Sequence, residues 1–544
     1  MIKSLKLFLF FNLVFLIYFF HRYLFLPNSA LSILINLMIF IIPGYCYANF
    51  FKNKISDLIS IIFLTICIST IILISGCLFF YVFKITLSPV NFLLFLIIIT
   101  NTGLLILKLL NHNINRNIKL KFLTFTLIFT AILYLSLYIS ATRIVPPLED
   151  HDMEAQGTAF GIMHYLKPYM VTNRGTVYYF AHPLLLHFYI GNTFLFLNEL
   201  DDLSYYYKSA ISAEKELEEN NSKELLFKNW HSDLRRFFGN PHLLATRMPN
   251  IFLGAISSIV LFYLIYLSTK SFIFSMAGPF IYFTFPEIFV RSAYGDYIAI
   301  TNFSLLIMAY LYIYKDNLEI HLKYKQAILF IAGLFGALTD QKTVIFIIAV
   351  GIRELLSENI SIWNRLKRSL SEKIIQGYVF GTMFFWLYGF IVNKRAFVED
   401  HITYHIANRF SLDDVRLAPS KIISYPSIIE LWKEFNNHLG FPFLIIAIPL
   451  TIYTIKSIKN RKSILGLWFS VGAVLFSITD WRQTKHLMHI LPPLVISTLI
   501  FISGKNLWLK TVFIIIFAFL VYNNIGVILK LSKDFSTISP TPIW

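Results

Sequence analysis

Apolar runs of about 17 to 25 residues recur along almost the whole chain, separated by short polar connections. A helix needs about 20 apolar residues to cross a bilayer, so each run is a candidate span. The pattern predicts an all-α polytopic membrane protein. The first run, Leu7 to Phe25, follows Lys3 and Lys6; it is longer than a signal-peptide core and lacks a small-residue cleavage pattern, so it reads as an uncleaved span with the N-terminus inside. Spans are then expected near 30–51, 57–83, 89–110 and 121–141. After a polar stretch over 142–248 they resume near 249–269, 271–290, 297–314, 326–339, 341–356, 374–393, 439–456, 463–479, 487–503 and 507–527. The total is about 13 to 15. The two runs flanking Asp340 are short and read either as partial helices meeting at a break or as one long helix.

Composition removes the soluble alternative. Of 544 residues 57% are apolar and 14% are charged, against about 25% charged in a soluble domain. The formal net charge of +17 would suit a nucleic-acid binder, but the cations lie in short clusters between apolar runs, and no basic soluble domain is present to hold a nucleic acid. Cys46, Cys67 and Cys77 all fall in apolar segments, which excludes a disulfide framework or a Cys-rich metal site and leaves them as packing residues.

Charge also orients the spans. Lys52 and Lys54, the group Lys108, Arg116, Lys119 and Lys121, and the connections Lys315–Lys325, Arg353–Lys373 and Lys456–Lys462 all fall inside. Five segments are then left on the outer face: 142–248, Arg291–Asp296, Thr339–Lys342, 394–438 and Asp480–Lys485. These carry Arg235, Arg236, Arg247, Arg291, Lys342, Lys394, Arg395, Arg409, Arg416, Arg482 and Lys485, cations that orientation does not require there. An anion at that depth, such as a lipid-linked phosphate or diphosphate, accounts for them, since Arg binds phosphate bidentately; snorkelling toward headgroups accounts for individual members.

The long stretch opens with Glu149-Asp150-His151-Asp152-Met153-Glu154, four carboxylates in six residues at a membrane edge. Two readings apply. Asp152 caps a short helix running to about Leu166 and stopped by Pro168, with Glu154 on the positive end of its dipole. Alternatively, one carboxylate is a general base for an acceptor hydroxyl and a neighbour orients it or holds a divalent cation. The aromatic stretch Tyr178–Leu186 reads as interfacial anchoring, and Glu199–Lys228 as one or two solvated amphipathic helices. Arg291 and Asp296 form a charge pair in a very short connection, a pattern repeated by Asp340-Gln341-Lys342 and by Asp480-Trp481-Arg482-Gln483-Thr484-Lys485-His486. His401 with His405, or His486 with His489, has the spacing of half a metal site, without a second pair to complete it.

With these residues in view, the chain over about 121–503 resembles the GT-C superfamily of integral membrane glycosyltransferases, in its protein mannosyltransferase-like and aminoarabinose transferase-like branch. The motifs that carry the resemblance are Asp152-Met153-Glu154, Tyr179-Phe180-Ala181-His182-Pro183-Leu184-Leu185, Arg247-Met248-Pro249, Arg291 with Asp296, Gly336–Lys342 and Lys485–Pro493. The family's acidic motif is usually an adjacent Asp-Glu, so the inserted Met153 and the nearby Asp150 leave three choices of base: Asp152, then Asp150 or Glu154. The resemblance implies a GT-C-type bundle with a long first catalytic outer loop, a polyprenyl-phosphate-linked sugar donor and an inverting transfer to a glycan, lipid or protein acceptor. It implies a bacterial cytoplasmic (inner) membrane with the site facing the periplasm. Arg291, Lys342, Arg482, Lys485, His182 and Arg247 would hold the donor phosphate; Asp296 would orient one of them or, with Asp152, bind Mg or Mn if a metal is used. The expected organisation is an N-terminal helical region, 1–120, a catalytic module, 121–527, including the loops 142–248 and 394–438, and a tail, 528–544. A flippase for lipid-linked glycans is the alternative from another class, though it would line a path at mid-membrane depth with charge. A glycan polymerase or ligase is the alternative among enzymes.

Overall fold

The computed structural model of the chain describes residues 2–109 apart from 22, 52–54 and 56; 120–144; 150–198 apart from 173, 174, 179 and 181; 243–407 apart from 317, 319 and 358–360; 433, 436 and 440–478; and 484–538. Among these, six helical stretches are long and apolar enough to cross a membrane: Asn28–Phe51, Leu58–Val82, Pro89–Leu107, Leu244–Thr269, Lys373–Phe397 and Leu507–Lys530. Shorter apolar helices fill the space between them. Ile514, Ile515 and Phe519 on the last long helix are exposed, as are Phe380, Met383 and Phe384 on the fifth, and such faces suit lipid rather than water. The chain is a multi-pass helical membrane protein.

The N-terminal part runs α1 (Ile2–Phe19), α2 (Asn28–Phe40), α3 (Ile42–Ala48), α4 (Leu58–Val82), α5 (Pro89–Leu109) and α6 (Leu120–Ile139). The span expected over 30–51 is divided at Ile41, just before Pro43, which has no N–H to continue the ladder. α4 starts where Asp57 accepts the Ser60 N–H at 2.8 Å.

Next come α7 (Asp150–Tyr165), the antiparallel hairpin β1 (Tyr169–Thr172) and β2 (Gly175–Tyr178), with Thr172 opposite Gly175, and α8 (Leu185–Leu197). α7 ends close to the expected Pro168, but it begins at Asp150, so Asp152 lies inside the first turn and does not cap the helix. The carboxylates still favour the positive end of the helix dipole from there. Of the aromatic stretch expected to anchor at the interface, Tyr179 and the Tyr178 side chain lie outside the described residues, whereas Phe180 and the stretch Leu185 to Phe196 are buried, α8 being packed against α7, α2, α5 and the helix that follows.

The central part comprises α9 (Leu243–Thr269), α10 (Phe272–Thr284), α11 (Pro286–Arg291), α12 (Ile298–Ile313), α13 (Leu322–Thr339), α14 (Val344–Leu356), α15 (Ile362–Ser371) and α16 (Lys373–Phe397), which continues into π-helical turns over Val398–Ala407. The span expected over 271–290 is divided at Pro286, which sits at the first position of α11. α12 is the axis of the bundle, buried along its whole length. α9, α13 and α14 surround it. α13 and α16 approach to backbone contact because a Cβ on Gly333 would stand 1.9 Å from the Ile374 carbonyl oxygen, and one on Gly377 1.9 Å from that of Phe330. The remaining helices are α17 (Phe441–Tyr453), α18 (Ile464–Ile478), α19 (Thr484–Leu487), α20 (Leu491–Ser503) and α21 (Leu507–Ile538).

Candidate functional site

Between α13 and α14 the chain reads Thr339-Asp340-Gln341-Lys342-Thr343, and here the helix breaks. The sequence left one long helix or two partial helices open; the structure has two. Polar side chains satisfy the backbone groups that a buried break exposes. The Asp340 carboxylate accepts the Lys342 N–H at 3.2 Å, and Thr343 Oγ1 donates toward the Gly336 and Asp340 carbonyls at 2.8 and 2.7 Å. Asp340 Oδ2 also accepts from Lys342 Nζ at 3.1 Å and from Thr301 Oγ1 of α12 at 3.1 Å. Both members of this ion pair are buried. Burial alone would raise the Asp340 pKa, but the Lys342 ammonium and the His182 ring outweigh it and hold the carboxyl well below the usual carboxylate range.

His182 comes from the connection before α8. Its ring stacks on Tyr297 with centroids 3.9 Å apart, and its Nδ1 lies 3.6 Å from Asp340 Oδ1. The turns after α16 fix this connection by its backbone: Asp400 Oδ2 accepts the Phe180 N–H at 2.6 Å, and His401 Nδ1 lies 2.9 Å from the Phe180 carbonyl oxygen. The Tyr297 hydroxyl lies 2.6 Å from His187 Nε2 on α8.

Just before α12, Asp296 Oδ1 accepts the Tyr297 N–H at 2.6 Å, while its Oδ2 lies 3.7 Å from Arg291. Arg291 makes its closer contact with Glu287, one turn earlier on α11, at 2.9 Å. Arg291 and Arg247 both approach the Tyr294 ring, at 5.1 and 5.0 Å. Arg247 is buried and donates to the Ala141 carbonyl at 2.7 Å, tying the start of α9 to the end of α6. Asn250 secures the Tyr294–Asp296 turn through both carbonyls. At the entry to α20, His489 Nδ1 lies 2.9 Å from Asn302 Oδ1 of α12, and its buried Nε2 has no hydrogen-bond partner among the described residues.

His182, Arg291, Asp296 and Lys342 are therefore brought to one end of the bundle, with Arg247 beside them. Asp150, Asp152 and Glu154 occupy the first turn of α7, which packs on α8 and α9; their side chains, like that of Lys485 in α19, lie outside the described residues, as does Arg482 altogether. Glu199–Lys228, Arg235, Arg236, Arg409 and Arg416 lie outside them too, as does the His405 side chain. Tyr297, Thr301, Asn302, Asn250, Glu287 and His187 do not stand out in the sequence. Among the described residues no group of three or more His, Cys, Asp or Glu converges as metal ligands. Asp296 suits a Mg or Mn ion poorly, since its oxygens already face the Tyr297 N–H and the Arg291 guanidinium.

No family model matches the chain, and no curated protein matches it. Among solved structures, the crystal structure of ArnT from Cupriavidus metallidurans bound to undecaprenyl phosphate is similar, with a TM-score of 0.46 and 12% identity, over 70% of this chain and 61% of that one. ArnT from the same organism in the apo state is similar over 70% of this chain and 60% of that one, with a TM-score of 0.44 and 10% identity. The chain spans about three fifths of the length of these structures.

Proposed function

We propose that this protein is a GT-C-type membrane glycosyltransferase that moves a sugar, with inversion, from a polyprenyl-phosphate-linked donor to a hydroxyl of a glycan, lipid or protein acceptor. The observation that carries the reading is the buried Lys342–Asp340 break at the end of apolar helices, with His182, His489 and the Arg291–Asp296 turn around it. Cations held in a low-dielectric site act strongly on an anion, and a phosphate on a lipid tail reaches that depth from within the membrane.

In the proposed reaction the acceptor oxygen attacks the anomeric carbon as a carboxylate of α7 takes its proton; Asp152 is the first choice and Asp150 or Glu154 the next. The bond from the anomeric carbon to the phosphate oxygen breaks, and its electron pair leaves with the phosphate. Lys342 and Arg291, with Arg482 and Lys485, stabilise that charge, and Arg247 holds the Tyr294 turn beside them. His182, stacked on Tyr297, hydrogen-bonds the phosphate, and Asp296 orients Arg291. Sugar phosphate is a good leaving group, so positioning and charge suffice.

We further read the site end as facing the periplasm of a bacterial cytoplasmic membrane. Three Lys/Arg-rich connections meet at the other end, where Arg461 lies 2.9 Å from Asp316 and Arg353 donates to the Lys459 carbonyl at 2.7 Å. The test is sugar transfer in membranes carrying Asp152→Asn. Loss of transfer supports Asp152 as base. Retained transfer in Asp152→Asn alone moves the role to a neighbour, and retained transfer with Asp150, Asp152 and Glu154 all replaced rejects base catalysis by α7.

A further inference from the structure

α15 presents the wrong face to the protein. It has ten residues, about 15 Å of helix, too short to cross a bilayer, and Ser361 caps it by accepting the Asn364 N–H. At 100° per residue Ile362, Trp363, Leu366 and Leu370 fall on one arc of roughly 100°. A helix on a water-facing surface turns such an arc toward the core. Here the arc looks outward, with exposures of 65, 77, 39 and 58%. The polar side meets the protein instead: Arg368 Nε lies 3.1 Å from Glu354 Oε2, Ser369 Oγ 3.5 Å from the Gly351 carbonyl oxygen, and Arg365 Nη1 3.5 Å from that of Leu355.

We propose that α15 is a membrane-surface helix, its Ile362–Trp363–Leu366–Leu370 face seated at the boundary between acyl chains and headgroups of a leaflet bearing anionic lipid. Three features select lipid over a second copy or a protein partner. The chain passes directly from α15 into α16, whose exposed Val379, Phe380, Met383 and Phe384 continue an apolar outer surface. Lys367 is exposed at the edge of the arc, and the part-buried Lys373 opens the next helix, so cations border the apolar face at headgroup level. Trp363, the most exposed of the four, is the residue type that settles at a membrane–water interface. Arg368 then passes the anchorage to Glu354 on α14, which Arg353 and Arg461 also hold.

The test uses the full-length protein in nanodiscs of phosphatidylcholine with phosphatidylglycerol, carrying a single added cysteine at 363, 364, 366, 370 or 371 and a nitroxide label. Cys46, Cys67 and Cys77 are buried and stay unlabelled. Labels at 363, 366 and 370 are expected to be more accessible to oxygen than to an aqueous nickel complex, with the order reversed at 364 and 371. Labels at 363 and 366 that favour nickel overturn the proposal, and so do labels shielded from both, which would signal a second copy or a protein partner. Omitting phosphatidylglycerol is expected to move the label at 363 toward water; an unchanged depth rejects the anionic preference.

Discussion

His182 Nδ1 stands 3.6 Å from Asp340 Oδ1 while its ring lies against Tyr297. One residue comes from the connection before α8 and the other from the break between α13 and α14, so a loop and a buried helix end are joined through a single imidazole. Both sides of that contact are supported: Asp340 by Lys342 and Thr301, and the loop by Asp400 and His401 through the Phe180 backbone.

The Lys342–Asp340 pair is buried, so removing one partner leaves the other charge uncompensated. Lys342→Met is expected to cost about 3–5 kcal/mol of stability, and the double variant with Asp340→Asn to recover much of it. Thermal unfolding of the purified single and double variants checks this, and equal losses in the single and double variants would refute the coupling.

Asp400→Ala removes the carboxylate that holds the Phe180 N–H and loosens the segment carrying His182. One hydrogen bond to a charged group is worth about 1.5–3 kcal/mol, so transfer is expected to fall roughly tenfold or more. Asp400→Asn keeps an acceptor oxygen and is expected to lose less. A larger loss in the Asn variant than in the Ala variant contradicts a positioning role.

Because Asp340 has a depressed pKa, its contribution to stability is complete above the unfolded carboxylate value of about 3.9 and is lost as pH falls through the lower folded value. Between roughly pH 5 and 8 the Asp340 carboxyl is expected to stay ionised. Acid unfolding of the wild type compared with Asp340→Asn measures this: the variant should lose less stability on going below about pH 4.

His489 Nε2 and both amide atoms of Gln156 on α7 are buried without hydrogen-bond partners among the described residues. Replacing an unsatisfied buried group by an apolar one of similar size is close to neutral for folding. Gln156→Leu is therefore expected to keep or raise the unfolding temperature, whereas His489→Leu also strands the Asn302 amide that faces its Nδ1 and is expected to lower that temperature and to weaken transfer. Unchanged transfer in His489→Leu removes that residue from the substrate site, and a lowered unfolding temperature in Gln156→Leu contradicts an unsatisfied amide there.

The helices were legible because apolar runs and basic connections are local signals. The breaks at Ile41 and Pro286 were harder to see, since Pro43 and Pro286 sit inside runs whose hydropathy is continuous. The burial of α8 was hidden by composition: an aromatic segment beside a polar loop looks interfacial until α2, α7 and α9 cover it. Charged candidates stood out because charge is rare in this chain. Tyr297, Thr301 and Asn302 did not, because they are uncharged residues at the start of an apolar helix whose partners come from elsewhere in the chain, among them His182, α8, the α13–α14 break and the entry to α20. Glu287 is hidden in the sequence because Asp296 shares the short connection with Arg291, while the helical turn of α11 brings Arg291 closer to Glu287.

The most direct measurement follows both halves of the donor in proteoliposomes containing the purified protein, a polyprenyl-phosphate-linked sugar and a candidate acceptor. The predicted result is stoichiometric release of polyprenyl phosphate with sugar gained by the acceptor, reduced about 100- to 1,000-fold by Lys342→Met, the size expected when a group stabilising the leaving charge is lost. Donor that crosses the bilayer intact, with no bond broken, would contradict a transferase and favour a flippase.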